Sequence, residues 1–368
     1  MKVAFVHEWL VKPAGSEKVL EAMLSLYPGA PIHTLVYDPK GFEGSPIARH
    51  PIRTSFLDRL PLARKKYPLY LPLMPLAVES FDLSGYDLVV SSSHAVAKGV
   101  LTGPHQLHIA YVHTPIRYAW DLEGEYLRGL PPLARSLARP LLHYLRLWDQ
   151  ASGARPDLLL ANSRFVARRI AKIYRREAQV VYPPVDVDRF RPREDREEFY
   201  LTVSRLVPYK RVDLIVEAFR RLGRPLVVIG DGPERGRLEA LARGVPNIRF
   251  LGHQPDEVVR DHMERCRAFV FAALEDFGIA PVEAMAAGAP VIAYGRGGVA
   301  ESVLEGETGV FFPEQTPEAL AEAVLRFEER AGAFHPERCR KRAEAFSRER
   351  FLREFAGVVE EALKHRVP

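Results

Sequence analysis

Cysteine is nearly missing from this chain: its 368 residues hold two, Cys266 and Cys339. Two thiols exclude a disulfide framework and favour a reducing compartment. Long apolar runs are missing as well, since nothing approaches the roughly eighteen consecutive residues that mark a membrane span. The opening MKVAFVHEWL is a buried-strand pattern, too short and too polar for a signal peptide. A cytoplasmic protein is expected, with peripheral contact at the inner face of the membrane left open. The chain has no fixed-period repeat, no low-complexity tract and no metal-ligand cluster. A net charge of +5 and a pI near 9.1 suit an anionic ligand or an anionic surface. Nucleic acid is disfavoured, because the basic residues are scattered among acids and neither zinc-finger spacing nor an aromatic-interleaved RNA motif accompanies them.

With 47% hydrophobic residues, the chain is long enough for two cores. Short apolar strands alternate with helical patterns, the signature of βαβ units and parallel sheets, so the fold class is α/β. VAFVH, DLVVSSS, LHIAYVH, DLLLANS and QVVYPP belong to a first half; FYLTVSR, PLVVIGDG, IRFLGH, AFVFAAL, PVIAYG and GVFFP belong to a second. Between them YPPVDVDRFRPREDREE, rich in proline and charge, reads as an interdomain linker. Its Asp186-Val187-Asp188 has the look of a metal-binding DxD, but it follows no strand at a pocket, and Arg189 and Arg191 stand ready to neutralise it. The expected domains are 1–188, 189–346 and a terminal helix over 347–368, which Ser347 caps and whose stripe is Phe351, Phe355, Val358, Val359 and Ala362.

The most informative stretch is Glu275 to Gly309, EDFGIAPVEAMAAGAPVIAYGRGGVAESVLEGETG. It follows AFVFAAL, and ligands of open α/β sheets gather where strands end. The turn Phe277-Gly278-Ile279-Ala280 leads into a helix expected near Pro281, whose free N–H groups and dipole suit a diphosphate. Glu283 is expected in the first helical turn, where the dipole alone also favours a carboxylate. A second constellation, FYLTVSRLVPYKRVDLIVEAF, places Arg205 and Lys210 around the loop between a strand and an amphipathic helix. Two cations there can clamp a diphosphate; a solvated basic loop is the ordinary alternative.

In the first half, the loop EWLVKPAGSEKVL sets Gly15 before a helix, able to approach a phosphate. His113 ends strand LHIAYV and opens His113-Thr114-Pro115, a strand's carboxyl end where a cleft residue belongs. The stretch LARSLARPLLHYLRLW, with Arg135, Arg139 and Arg146 among leucines, has two readings: a helix lying on a membrane, or an internal helix kinked by Pro140.

Glu275 to Glu283 matches E-x7-E and Arg205 to Lys210 matches R-x4-K. Gly15-Ser16-Glu17 resembles a G-G-x-E loop with Ala14 for its first glycine. His113 to Tyr118 resembles H-T-P-x-R-Y, and Asn162-Ser163-Arg164-Phe165 matches N-S-x-F. On these motifs the chain resembles, over nearly its whole length, the family 4 retaining glycosyltransferases. The resemblance implies the GT-B fold: two Rossmann-like domains with parallel sheets facing across a cleft, and a terminal helix crossing back to the first. It implies that Glu275 contacts donor-sugar hydroxyls and Glu283 the ribose, while amides around Gly278, Ile279 and Ala280 hold sugar and diphosphate. Arg205 and Lys210 would stabilise the leaving group, and His113 would lie beside the sugar, with Arg117, Tyr118 and Trp120 lining the acceptor side. The base is expected near the loops of Gly230 and Gly252. No cofactor and no metal is implied beyond the nucleotide-diphosphate sugar, GDP-mannose favoured and UDP-sugars close behind. The acceptor would be a glycan or a lipid-linked sugar, as in bacterial mannosyltransferases of surface polysaccharide synthesis. A nucleotide-sugar epimerase of the same fold and a non-catalytic nucleotide-sugar-binding subunit stay open.

Overall fold

A computed structural model of the chain describes residues 1–121, 123–128 and 131–365. The chain divides into two compact units, one made of Met1–Pro184 with the segment from Phe351 onward, the other of Val185–Arg350. The first unit holds strands β1 (Val3–Leu10), β2 (Ile32–Tyr37), β3 (Ile52–Thr54), β4 (Leu88–Ser93), β5 (Leu107–Val112), β6 (Leu158–Ala161) and β7 (Gln179–Val180). They form one parallel sheet in the order β3-β2-β1-β4-β5-β6-β7. The second unit holds β8 (Tyr200–Val203), β9 (Leu226–Ile229), β10 (Ile248–Gly252), β11 (Ala268–Phe271), β12 (Val291–Tyr294) and β13 (Gly309–Phe312). Its parallel order is β10-β9-β8-β11-β12-β13. Both sheets reverse direction once, between β1 and β4 and between β8 and β11. Ligand crevices of doubly wound sheets open at such reversals.

Two strands fall outside the set of apolar runs in the sequence. β2, IHTLVY, carries His33 and Thr34 inside its run yet is buried throughout except at Tyr37, because it lies within the sheet. β3 is a three-residue edge strand, mostly exposed, with no apolar pattern to betray it.

Helices form where capping and periodicity agree. Ser163 accepts from Val166 N at 3.0 Å and starts Arg164–Tyr174; Thr316, followed by Pro317, accepts from Ala319 N at 3.2 Å and starts Pro317–Glu329. The helix Val212–Leu222 buries Val212, Ile215, Val216 and Phe219 on one stripe. The last helix, Arg348–Lys364, has the Arg350 N–H met by Ser347 Oγ at 3.2 Å and sinks Phe351, Phe355, Val358 and Val359 into the same core as Phe5, Ile109 and Tyr111 of the first unit. Each fully buried phenylalanine contributes ~1.5–3 kcal/mol there. Residues 366–368 of the expected terminal helix lie outside the described residues.

The proline-rich stretch expected as a linker is packed instead. Val185, Val187 and Phe190 are buried, Val185 bridges Ser347, and Arg340 donates to the carbonyls of Val187 and Phe190. The division of the chain therefore falls at Pro184. The neutralisation expected for the aspartates also differs: Asp188 pairs with Arg340 at 2.6 Å, while Arg189 turns to Asp256 and the Arg191 amide to Glu264. The helix Pro132–Ser152 runs unbroken through Pro140 and is not internal. Leu142 and Leu145 are buried, whereas Leu137 is 70% exposed.

Candidate functional site

In the second unit the site residues gather at the reversal between β8 and β11. The loop after β8 carries Arg205 and, in a turn Pro208–Lys210, Lys210; the loop after β11 carries Glu275. The Lys210 ammonium donates to Glu275 Oε1, with both side chains less than one-fifth exposed, so the pair ties the two loops together across the reversal. Arg205 is exposed and, among the described residues, makes no ion pair.

Glycine makes this packing feasible. Gly278 begins the helix Ile279–Ala286 at φ 88°, a left-handed conformation that starts the helix two residues before Pro281. Glu283 consequently sits in the second turn, not the first as expected, and is half-buried. The helix-dipole explanation for that carboxylate weakens accordingly. From the other side, Gly298 N donates to the Glu275 carbonyl at 2.9 Å. A Cβ on Gly297 would sit 2.5 Å from that same oxygen, and one on Gly298 would sit 2.3 Å from Asp276 O. The segment Gly295 to Gly298 thus braces the Glu275 loop by backbone contact. Ile279 and Ala280, both half-buried, supply the first N–H groups of the helix.

The loops after β8, β9 and β10 lie edge to edge. Gly230 N donates to Gly252 O at 2.8 Å, and Leu206 N to Asp231 O at 2.9 Å. A Cβ on Gly230 would fall 1.8 Å from Ser204 O.

The first unit has its own constellation at its reversal. β1 and β4 pair His7 with Ser92, and the Ser92 hydroxyl meets both His7 Nδ1 at 3.1 Å and His113 Nε2 at 2.9 Å. His7 Nε2 reaches Glu17 at 3.2 Å, and Glu17 caps its own helix by accepting from Ala14 N at 3.0 Å. A hydrogen-bonded chain therefore runs from His113 through Ser92 and His7 to the loop of Gly15. Ala14, at φ −148°, is extended, and Gly15 is the first residue of the helix Gly15–Leu24. No positive φ is required where glycine is missing.

Beside that chain Glu8, fully buried, accepts from Ser93 Oγ and from the N–H groups of His94, Ala95 and Ala97 at 2.8–3.0 Å, with its second oxygen 3.1 Å from His94 Nδ1. Burial alone would raise the Glu8 pKa, but His94, His7 and the backbone donors hold it well below the usual carboxylate range. Burial works against His94 too, yet Glu8 and Glu17 raise its pKa. His113 is driven the other way, down to about 3, by burial and by the neighbouring His94 and His7. Well above that pH the imidazole is neutral. Trp120, expected on the acceptor side, commits its indole N–H to the buried Asp149 at 2.7 Å.

The structure thus joins Lys210 to Glu275, sets Gly278, Ile279 and Ala280 directly after Glu275, and joins Gly230 to Gly252. Arg205 shares the Lys210 loop without entering the ion pair. His113 and Gly15 are linked through Ser92, His7 and Glu17 within the first unit. Glu8, His7 and Ser92 went unnoticed in the sequence. The available signals were two adjacent ionisable residues inside an apolar strand, VAFVHEWL, and the serine triplet ending LVVSSS. Among the described residues, no three His, Cys, Asp or Glu side chains are disposed to hold a metal ion.

Comparison with known proteins extends this picture. Residues 185–346 match the family model of Glycosyl transferases group 1, and residues 15–189 match that of Glycosyltransferase Family 4. A GDP-mannose-dependent alpha-(1-6)-phosphatidylinositol monomannoside mannosyltransferase of Mycobacterium tuberculosis is 31% identical over 223 residues, which cover 52% of this chain and 55% of the relative. The chain spans about half the length of the curated relatives it matches. Sucrose-phosphate synthase of Thermosynechococcus elongatus superimposes with a TM-score of 0.77 at 18% identity, covering 99% of this chain and 100% of the other. HepE of Anabaena, in complex with UDP, does so with a TM-score of 0.73 at 18% identity, covering 98% and 100%. At such identities the likeness is one of fold, GT-B. The two family models adjoin where the two units divide and together take in residues 15–346, so the chain belongs to the family 4 glycosyltransferases.

Proposed function

We propose that the protein transfers a hexose, mannose in preference, from a nucleotide-diphosphate sugar to a glycan or lipid-linked acceptor with retention of configuration. The observation that carries this reading is the Lys210–Glu275 pair at the sheet reversal of the second unit. Breaking a sugar–phosphate bond develops positive charge at the anomeric carbon and negative charge on the departing diphosphate, so the catalyst needs fixed groups of both signs close together. An entering diphosphate competes for Lys210 and draws in Arg205 and the amides of Ile279 and Ala280. Glu275, released from Lys210, is then free to accept hydroxyl hydrogen bonds from the sugar. We assign Glu283 to the ribose and the loops of Gly230 and Gly252 to the base. His113, neutral and anchored by Ser92, tolerates adjacent positive charge without adding its own. No protein nucleophile is invoked: the leaving phosphate takes the acceptor's proton as attack occurs on the same face.

The mannose preference draws on the mycobacterial relative, whose name specifies GDP-mannose; the UDP in the HepE complex keeps UDP-sugars as the second choice. Glu275→Ala should lower kcat by roughly a hundredfold or more, about 2.7 kcal/mol, with the circular dichroism spectrum unchanged. Turnover near wild type would defeat the assignment. Thermal-shift titration with GDP-mannose, UDP-glucose and ADP-glucose identifies the donor, since a ligand at about a hundred times its Kd adds ~2.7 kcal/mol. Isomerisation of the donor with no acceptor present would favour an epimerase instead.

A further inference from the structure

Two segments of the first unit carry most of the large apolar side chains that this fold leaves in solvent. Of twelve such exposed residues among those described, seven lie on them: Leu62, Leu69, Leu73 and Leu76 on one, Leu137, Tyr144 and Leu147 on the other. Scattered singly, exposed leucines need no explanation; gathered on two segments, they do.

In the first segment Tyr67–Leu73 and Met74–Glu79 form consecutive helical turns. Their inner stripe, including Tyr67, Leu71, Met74 and Val78, packs on the core of the first unit. Leu69, Leu73 and Leu76 stay outside that stripe and are 72%, 40% and 59% exposed. From Arg59 to Val78 there is no aspartate or glutamate, whereas Arg59, Arg64, Lys65 and Lys66 are present, Arg64 pairing with Asp58 just before the segment. Lys65 and Lys66 are exposed and make no ion pair among the described residues. The second segment, the helix Pro132–Ser152, repeats the arrangement. Leu142 and Leu145 point inward, Leu137, Tyr144 and Leu147 outward; no acid occurs within the helix before the buried Asp149, Arg139 is exposed, and Arg146 pairs with Glu123.

The segments adjoin. Leu71 packs against the clusters of both Met74 and Leu142, and Glu79 accepts from Trp148 Nε1 at 2.8 Å. Exposed Lys65, Lys66 and Arg139 beside outward leucines match a bilayer interface, with leucines entering the acyl boundary and cations meeting anionic headgroups. Leucines offer no stacking surface for nucleic-acid bases. A two-fold contact between copies would set lysine against lysine around the apolar patch. We propose that the outer faces of residues 59–78 and 132–148 form one surface that seats the protein on an anionic membrane.

The inference stands apart from the transferase reading, because it is tested without donor or acceptor. The full chain is sedimented with vesicles of phosphatidylcholine alone and of phosphatidylcholine mixed with phosphatidylglycerol. Binding is expected to the mixed vesicles only, and to weaken as salt is raised. Leu69→Ser/Leu73→Ser/Leu76→Ser and, separately, Lys65→Ala/Lys66→Ala should each reduce it roughly tenfold, with the circular dichroism spectrum unchanged. No binding to anionic vesicles, equal binding by all three proteins, or a wild-type dimer that the leucine substitutions dissolve would overturn the proposal.

Discussion

Replacing Glu8 with glutamine should weaken the first unit in a way that depends on pH. The carboxylate is fully buried, takes four hydrogen bonds on one oxygen, and faces His94 with the other. Glutamine keeps the shape and an accepting oxygen but forfeits the charge and turns an amide toward His94. Removing one partner of a buried pair costs about 3–5 kcal/mol; because the amide oxygen retains neutral hydrogen bonds, the lower end, ~3 kcal/mol, is expected. For a unit of this size that is a fall of roughly 6–12 °C in the unfolding temperature.

The pH dependence follows from the two shifts. The pKa of Glu8 lies below its ordinary 4.5, so its contribution is present above 4.5 and lost as pH falls through the folded value. The pKa of His94 lies above its ordinary 6.5, so its contribution is whole below 6.5 and lost as pH rises through the folded value. The gap between wild type and Glu8→Gln should therefore be widest between 4.5 and 6.5 and narrow on the alkaline side. Calorimetric scans at about pH 5.5 and about pH 9 measure it. A gap under about 2 °C at the lower pH, or one of equal size at both, refutes the account of the Glu8–His94 pair.

Other consequences are simpler to check. Gly230→Ala places a Cβ 1.8 Å from Ser204 O at φ 139°, and should cost roughly 3 kcal/mol or more; an unchanged unfolding temperature would contradict the packing of the loops after β8 and β9. Cys266 and Cys339 are buried with thiols pushed up to about 12, so a thiol reagent should label neither in the folded protein and both in denaturant; fast labelling under native conditions would argue against their placement.

What could be read from sequence was whatever a local pattern encodes. Strand β11 and the turn at Gly278 announce themselves through a continuous apolar run and a glycine before a helix, which put Glu275 at a strand end. That Lys210 meets Glu275 required knowing that β8 and β11 are neighbours, and parallel order is not written in either strand. Glu283 was assigned one turn too early because proline at a helix start is a strong cue, while the left-handed Gly278 that actually begins the helix is visible only in its dihedrals. The Glu8 and Ser92 constellation is non-local throughout: its members come from β1, the end of β4 and the turn beyond, and each alone is an unremarkable polar residue. His108 shows the converse. Its imidazole, pushed down to about 3 by burial, bonds Ser91 and serves the core, though it lies on β5, the very strand that His113 follows.

The last helix has a consequence for how the chain is made. Phe351 and Phe355 complete the core around Phe5 and Tyr111, so the first unit is assembled from two segments of the polypeptide, while Val185–Arg350 lies wholly between them. A ribosome working from the amino end thus releases everything the second unit needs before the first can close. The half synthesised earlier is the half that must wait.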